Sequence, residues 1–560
     1  MSKQEVEVSN PVANKAVWLV ALALTAVNAV KPITVDDTIF YFYARELLAA
    51  PLDPYGFNIF WEVQPVSALD LFAPVGMPYW WSLGLRVLGD EPWMWKLWMF
   101  PYALLLTHAI SQLLNRFARD NQTSLLLLTV LGPTILPAFN LMIDIPSLAL
   151  GVGAMVLFMR ACDQERQQFA VAAGVVAALA LETKFTAFAP VAAMLGYGLL
   201  ARQWRLLFTT SGVTLALFVG AELTLYQAYG TSHFLRSLEI PEQAIRHNTT
   251  AGWAIGWIAL SGALAAPVAL LGLASLQVKL RTLAFAAALT ASPFVAIAFG
   301  TRPANSIPFG PTQLGAGDTE LLIFFAAGLC VVAVVGVAIA SRLRASLPQL
   351  TRAHQFLLLW FGIELLACFA ISPFHALRRL IGPALAGTLL VAHGISPGHA
   401  SAKRVNIVAA VGLSLGLLFS IADTMDARAR YQVQDQIASE LTRLGHDPKN
   451  ETVWFTGHWG FQFYAERRGY KPIIAGHSVV QQGDWLLVPN RSSGQPVPSI
   501  ALSRSHAVIV ATSAFPLSTT PSAYMAAVPM RRQPEAQNRI AIRRIVSSGD
   551  VPVYSRRGRH

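Results

Sequence analysis

Apolar runs close to twenty residues long recur along this chain, separated by short basic segments, and this pattern restricts the fold more than any other feature. A helix needs about 20 apolar residues to cross a bilayer core. Candidate spans lie near residues 15–31, 96–114, 122–141, 145–161, 168–182, 185–200, 206–226, 253–275, 282–299, 320–340, 355–372, 379–394 and 405–424, about thirteen in all. With 54% apolar and only 13% charged residues, the chain is unlike a water-soluble protein of its length.

A formal net charge of +11 raises the question of nucleic acid, but the Lys and Arg residues fall in small clusters between apolar runs and form no basic stripe. Their distribution is topological. With the N-terminus inside, the inner loops hold Arg116 and Arg119, Arg160 and Arg166, Arg202 and Arg205, Lys279 and Arg281, Arg342, Arg344 and Arg352, then Lys403 and Arg404. Each inner loop is basic, as the positive-inside rule requires, and an odd number of spans puts the tail after about residue 425 outside. The first run ends in "TAVNAV", which also allows cleavage of a signal peptide near Ala29. A retained helix is preferred because many spans follow, and both readings leave Asp36 and Asp37 outside. The three cysteines, Cys162, Cys330 and Cys368, lie in or beside apolar runs with no metal-binding spacing and no disulfide framework.

The tail has a different character. "ETVWFTGHWGFQFYAERRGY" reads as a strand, a loop and a short helix ending at Gly469, while "GDWLLVP", "SHAVIVAT" and "IAIRRIV" read as later strands. The expected organisation is a membrane domain over 1–424 and a small α/β domain over 425–560. The large outer segments are 32–95, 227–252 and 300–319; the first is too long for a simple turn and contains "MPYWWSLGLRVLG", an interfacial helix by its aromatic content. Outer loops of this size build sites.

Asp36 and Asp37 in "VDDTIFYF" have two compatible readings. Adjacent carboxylates at a low-dielectric boundary repel, which favours work as a base or a ligand; either one also suits the N-cap of a helix running to about Ala49. Asp144, in "NLMIDIPSLAL", reads as a helix start with Pro146 in its first turn. Lys184 in "LETKFTAF" either snorkels or holds a phosphate. Arg378 and Arg379, in "SPFHALRRLIGPAL", place positive charge on the outer side, against the topology rule, so a local anion is expected there. His233, His247 and His375 also lie outside and receive no role. "GHWGFQFYAE", with His458, Trp459 and Tyr464, reads as an acceptor contact or as the core of the tail domain.

In order along the chain come one span, "DD" with "FYARELL" and "PYGFNIFWE", then "PVGMPYWWSLGLRVLGDEPWMWKL", "MIDIP", "TKFT" and "RRLIGPAL". This ordered set resembles the GT-C membrane glycosyltransferases, especially the protein O-mannosyltransferase and lipid A aminoarabinose transferase branch. The resemblance implies a polytopic α-helical membrane protein with a small extracytoplasmic α/β domain. It also implies transfer of a sugar, with inversion, from a polyprenyl-phosphate donor to a hydroxyl on a lipid, protein or glycan acceptor. By resemblance Asp36 takes the place of the family's catalytic Asp and Asp37 that of the following Glu. Asp144 matches the acidic position of the second outer loop, and Lys184, Arg378 and Arg379 match cations near the donor phosphate. Tyr41, Tyr55 and Trp61 are expected on the acceptor side. The usual Asn-Pro-Pro is replaced by "APVGMP". No cofactor is required, although Asp36 with Asp144 leaves room for a divalent cation. The resemblance places the protein in a bacterial inner membrane with its site facing the periplasm. The rivals are a transporter, for which no internal repeat is seen, and a non-catalytic polysaccharide or lipid assembly protein.

Overall fold

The computed structural model describes residues 11–61, 64–71, 74–118, 120–239, 251–275, 319–343, 350–371, 376–394, 402–489, 505–514 and 537–551. The span expected at 282–299, most of the outer segment at 300–319, His247 and His375 lie outside these residues.

The apolar runs fold as helices. Among the described residues seven are long and apolar enough to cross a membrane: Pro92–Phe117, Asp144–Gln164, Trp204–Tyr229, Gly256–Leu273, Ile323–Ala340, Arg352–Phe369 and the helix Ala402–Arg443. Lys15–Ala29, Gln167–Leu181 and Phe185–Ala201 are equally apolar but shorter. This is a multi-pass membrane protein.

The helices that frame the site are α1 (Pro11–Ala29), α2 (Asp37–Ala49), α3 (Gly76–Leu88), α4 (Pro92–Trp98), α5 (Phe100–Phe117), α6 (Gln122–Val130), α7 (Asp144–Gln164), α8 (Gln167–Leu181), α9 (Phe188–Ala201), α10 (Trp204–Tyr229) and α11 (His233–Glu239). They are followed by α12 (Ala251–Ser275), α13 (Thr319–Leu343), α14 (Arg352–Ile371), α15 (Leu377–Gly394), α16 (Ala402–Arg443) and α17 (Gly460–Arg467).

One expected span is corrected. Residues 122–141 form no continuous helix: α6 stops at Val130, and a buried series of turns leads to Asp144. Pro133 and Pro137 account for this, since each lacks the N–H a helix needs and clashes with the preceding turn. Irregular backbone at membrane depth survives only when buried in protein and satisfied. Here the end of α1 does that work: Asn28 donates to the Leu136 carbonyl at 3.0 Å and Lys31 to that of Pro137 at 3.4 Å.

The anticipated boundary near residue 425 falls inside α16, which continues to Arg443 and carries the chain directly into the tail. A β1 (Asn58–Trp61) and β2 (Gln64–Ser67) hairpin stands apart, and the tail strands appear where expected, at β3 (Val453–Phe455), β5 (Trp485–Pro489), β6 (Ser505–Ala514) and β7 (Gln537–Ile545). With β4 (Lys471–Pro472) these tail strands form a mixed sheet in the order β4-β3-β5-β7-β6, parallel across β4-β3-β5 and antiparallel thereafter. Its core is built by Phe455, Leu487 and Ile542 against Val433 and Ile437 of α16.

The tail is docked on the segment that leads into Asp36. The Ile33 N–H donates to the Tyr464 hydroxyl at 2.9 Å, and Gln462 donates to the Phe60 carbonyl at 3.3 Å. Gly460 allows this approach, because a Cβ there would lie 2.5 Å from the Ile33 carbonyl oxygen.

Candidate functional site

Four segments far apart in sequence bring their helix ends together. Asp36 immediately precedes α2, Asp144 opens α7, Lys184 sits in the turn between α8 and α9, and Arg378 and Arg379 lie in the first turn of α15. An Arg378 Nη donates to an Asp36 Oδ at 2.9 Å, with both side chains partly exposed. Lys184 forms an ion pair with Asp144. Asp144, Arg378 and Arg379 line one cleft of about 100 Å³, together with Ser147, Phe185, Phe188 and Glu364.

Lys184 is held low, at about 8: burial is the largest cause, Asp144 opposes it, and the charges of Arg379 and Arg378 reinforce it. That arrangement is poised for an anion. Three cationic side chains crowd one another at a membrane boundary, and a phosphate would relieve their repulsion.

The two adjacent aspartates separate completely. Asp37 is fully buried, with Lys96 of α4 at 3.4 Å, and one of its oxygens accepts the Thr34 N–H at 3.3 Å. Burial pushes its carboxyl above the usual range, while Lys96 and the Thr34 N–H pull the other way. Lys96 itself is buried and also donates to the carbonyls of Lys31 at 2.8 Å and Pro32 at 3.2 Å. This anchors the turn that carries Asp36. The two aspartates therefore stand apart, Asp36 beside Arg378 and Asp37 in the core with Lys96. Successive helical residues point about 100° apart, which explains the split. Neither side chain caps α2 in the expected N-cap manner, for Asp36 makes no side-chain bond to its amides.

Tyr41, Tyr55 and Trp61 do not line the cleft. Tyr41 stacks on Trp95 at 4.9 Å and meets Phe463 edge-on, so it seals the joint with the tail domain. Tyr55 is buried and stacks on His233 at 5.8 Å, and Trp61 lies 5.9 Å from the His458 ring. Their aromatic faces are taken up by packing. Of the two carboxylates that leave room for a divalent cation, Asp36 faces Arg378 and Asp144 faces Lys184.

Glu364 escaped the sequence reading. It is 6% exposed in the middle of α14, lines the cleft, and accepts the Trp360 indole N–H at 3.0 Å. Its other oxygen packs over Gly382 of α15, where a side chain would collide with it. The available signal was an acidic residue inside the apolar run "WFGIELLACFAI", since ionisable groups at membrane depth are expensive and mark sites or pairs. Lys96 in "PWMWKLWMF" carried the same signal.

No family model matches the sequence, and no curated protein matches it. Among solved structures the chain is similar to ArnT from Cupriavidus metallidurans bound to undecaprenyl phosphate, at 11% identity, over 98% of this chain and 100% of that one, with a TM-score of 0.48. It is also similar to the archaeal oligosaccharyltransferase AglB from Archaeoglobus fulgidus in complex with an inhibitory peptide and a dolichol-phosphate, at 13% identity, over 86% of this chain and 70% of that one, with a TM-score of 0.48.

Proposed function

We propose that the protein is a membrane glycosyltransferase that moves a sugar from a polyprenyl-phosphate donor to an acceptor hydroxyl on the outer face of the membrane. The observation that carries this reading is one cleft lined by Asp144, Arg378 and Arg379, in which Arg378 pairs with Asp36 and Asp144 with Lys184. The basic inner loops support a cleft facing away from the cytoplasm, in a bacterial inner membrane with the tail domain in the periplasm.

The chemistry follows from charge. Asp36 takes the proton of the acceptor hydroxyl as its oxygen bonds to the anomeric carbon. The bond from that carbon to the phosphate oxygen breaks, and its electron pair leaves with the phosphate. Attack opposite the leaving group inverts the centre. Phosphate is a competent leaving group, so a second carboxylate to protonate it is not needed, in contrast to glycoside hydrolysis. Lys184, Arg378 and Arg379 stabilise the charge that accumulates on the phosphate.

The ion pair adds an order to these events. Arg378 donates to Asp36, which occupies a carboxylate oxygen that the acceptor hydroxyl would otherwise use. A donor phosphate competes for Arg378 and releases Asp36 when there is a sugar to transfer. Asp144 orients Lys184, Asp37 holds the turn beneath Asp36, and Tyr41, Tyr55 and Trp61 keep packing roles.

Purified protein in lipid, given a panel of radiolabelled polyprenyl-phosphate sugars and a membrane acceptor extract, tests the reading. Label transferred from one donor by wild type, with a raised donor KM in Arg378→Gln, is the expected result. Absence of transfer from every donor by folded protein would reject it in favour of a non-catalytic assembly role.

A further inference from the structure

A second polar centre lies on the other side of the turn that carries Lys184. Glu182 directly follows α8, two residues before Lys184, and Glu222 lies on α10, seven residues before its end at Tyr229. At about 1.5 Å per residue, that is roughly 10 Å inside the helix terminus. Both are buried, at 9% and 8% exposure. One Glu222 oxygen accepts the Phe234 N–H at 2.9 Å; its Oε1, like the Oε1 of Glu182, has no hydrogen-bond partner. Among the described residues no ion pair includes either glutamate.

Burial, with Glu222 as second cause, lifts the Glu182 carboxyl to about 8. A buried acid without a cation is costly to ionise. A positively charged partner is the group that this arrangement lacks.

Glu222 lines a groove of about 630 Å³ bounded by α8, α9, α10 and the start of α11. Leu181, Val191, Leu215 and Phe218 make its wall almost entirely apolar, and Leu215 and Leu223 are exposed on its rim. The groove therefore offers a chain-sized apolar channel with Glu222 in its lining on the α10 side. The cleft described above is separate from it, with only Phe188 lining both.

We propose that this groove binds a membrane lipid with a primary-ammonium head, its acyl chain lying along α10 and its ammonium donating to the free oxygen of Glu222. Glu222 supplies the complementary charge, and the chain covers the exposed leucines. This site goes beyond the transfer reaction and does not depend on it.

The test uses the full chain, delipidated in detergent, with phosphatidylethanolamine, phosphatidylcholine and phosphatidylglycerol of identical acyl chains. Retained lipid is counted by native mass spectrometry and the unfolding midpoint is followed in parallel. Wild type should retain phosphatidylethanolamine about tenfold more strongly than either other lipid, the scale of one charge-assisted hydrogen bond, and should be stabilised by it. Glu222→Gln should bind the three lipids alike. Leu215→Trp, which fills the groove and leaves the carboxylates intact, should lose retention as well, and serves if the glutamine variant folds poorly. Equal retention of the three lipids by wild type, or an ethanolamine preference that survives in Glu222→Gln or Leu215→Trp, overturns the proposal.

Discussion

Replacing Lys96 with Met separates the two aspartates by experiment. Lys96 lies 3.4 Å from Asp37 with both side chains buried, so at an effective dielectric near 20 their attraction is roughly 5 kcal/mol before desolvation is counted. Removing one partner of such a pair strands the other and costs about 3–5 kcal/mol. Lys96 also donates to the carbonyls of Lys31 and Pro32, which would lose a charged donor. The account expects Lys96→Met to lower the unfolding midpoint in detergent strongly. Asp37→Asn, which leaves Lys96 charged and buried, should also lower it. The double variant should lose less than the sum of the two, because neither charge is then stranded. At a temperature where Asp37→Asn is still folded, its donor turnover should stay within about tenfold of wild type, since a core carboxylate is not expected to stabilise the transition state directly. A stable Asp37→Asn with no turnover would refute this division of labour and return Asp37 to the chemistry.

Other outcomes follow from the same geometry. Lys184 is held at about 8 by burial, so its charge is complete below that pH and lost above it. Donor KM should therefore rise as pH passes about 8, and Lys184→Arg, whose guanidinium does not deprotonate, should flatten that limb. In the tail domain the Arg544 guanidinium, followed by Trp485 and others, lowers the Glu451 carboxyl to about 2. The stabilisation it gives is present above the ordinary carboxylate range and lost as pH falls toward about 2. Glu451→Gln should lower the tail's thermal stability at pH 7 by about 1–2 kcal/mol and narrow its difference from wild type in acid. Gly382→Ala places a methyl against the Glu364 carboxylate, so it should displace that side chain from the cleft and raise donor KM without loss of membrane insertion.

Much of this architecture could be read from hydrophobic run length and loop charge, because both reflect the bilayer directly. The error at 122–141 arose because a hydropathy average is blind to Pro133 and Pro137, whose consequence depends on Asn28 and Lys31 reaching the freed carbonyls. The residues gathered at the cleft were legible because each stands at a helix end on one side of the chain's topology. Their pairings were not: 342 positions separate Asp36 from Arg378, and no local pattern encodes such a contact. Asp37 looked equivalent to its neighbour because adjacency in sequence hides the turn of a helix. Tyr41, Tyr55 and Trp61 looked like binding groups because an aromatic near an acid reads the same whether its face meets a ligand or a packed domain. Glu364, Glu182 and Glu222 were visible only as isolated acids in apolar runs, and the groove and cleft they line needed the packed helices to exist.

The central claim is that Asp36 is the base of a sugar transfer. It is tested by single-turnover transfer from the donor that wild type uses, comparing wild type with Asp36→Asn at equal folded amounts and saturating donor. The account predicts that the variant binds donor at least as tightly, because Arg378 is relieved of its carboxylate, while transfer falls by about 10²–10⁴, the usual contribution of a general base. Transfer by Asp36→Asn within a few-fold of wild type would contradict it.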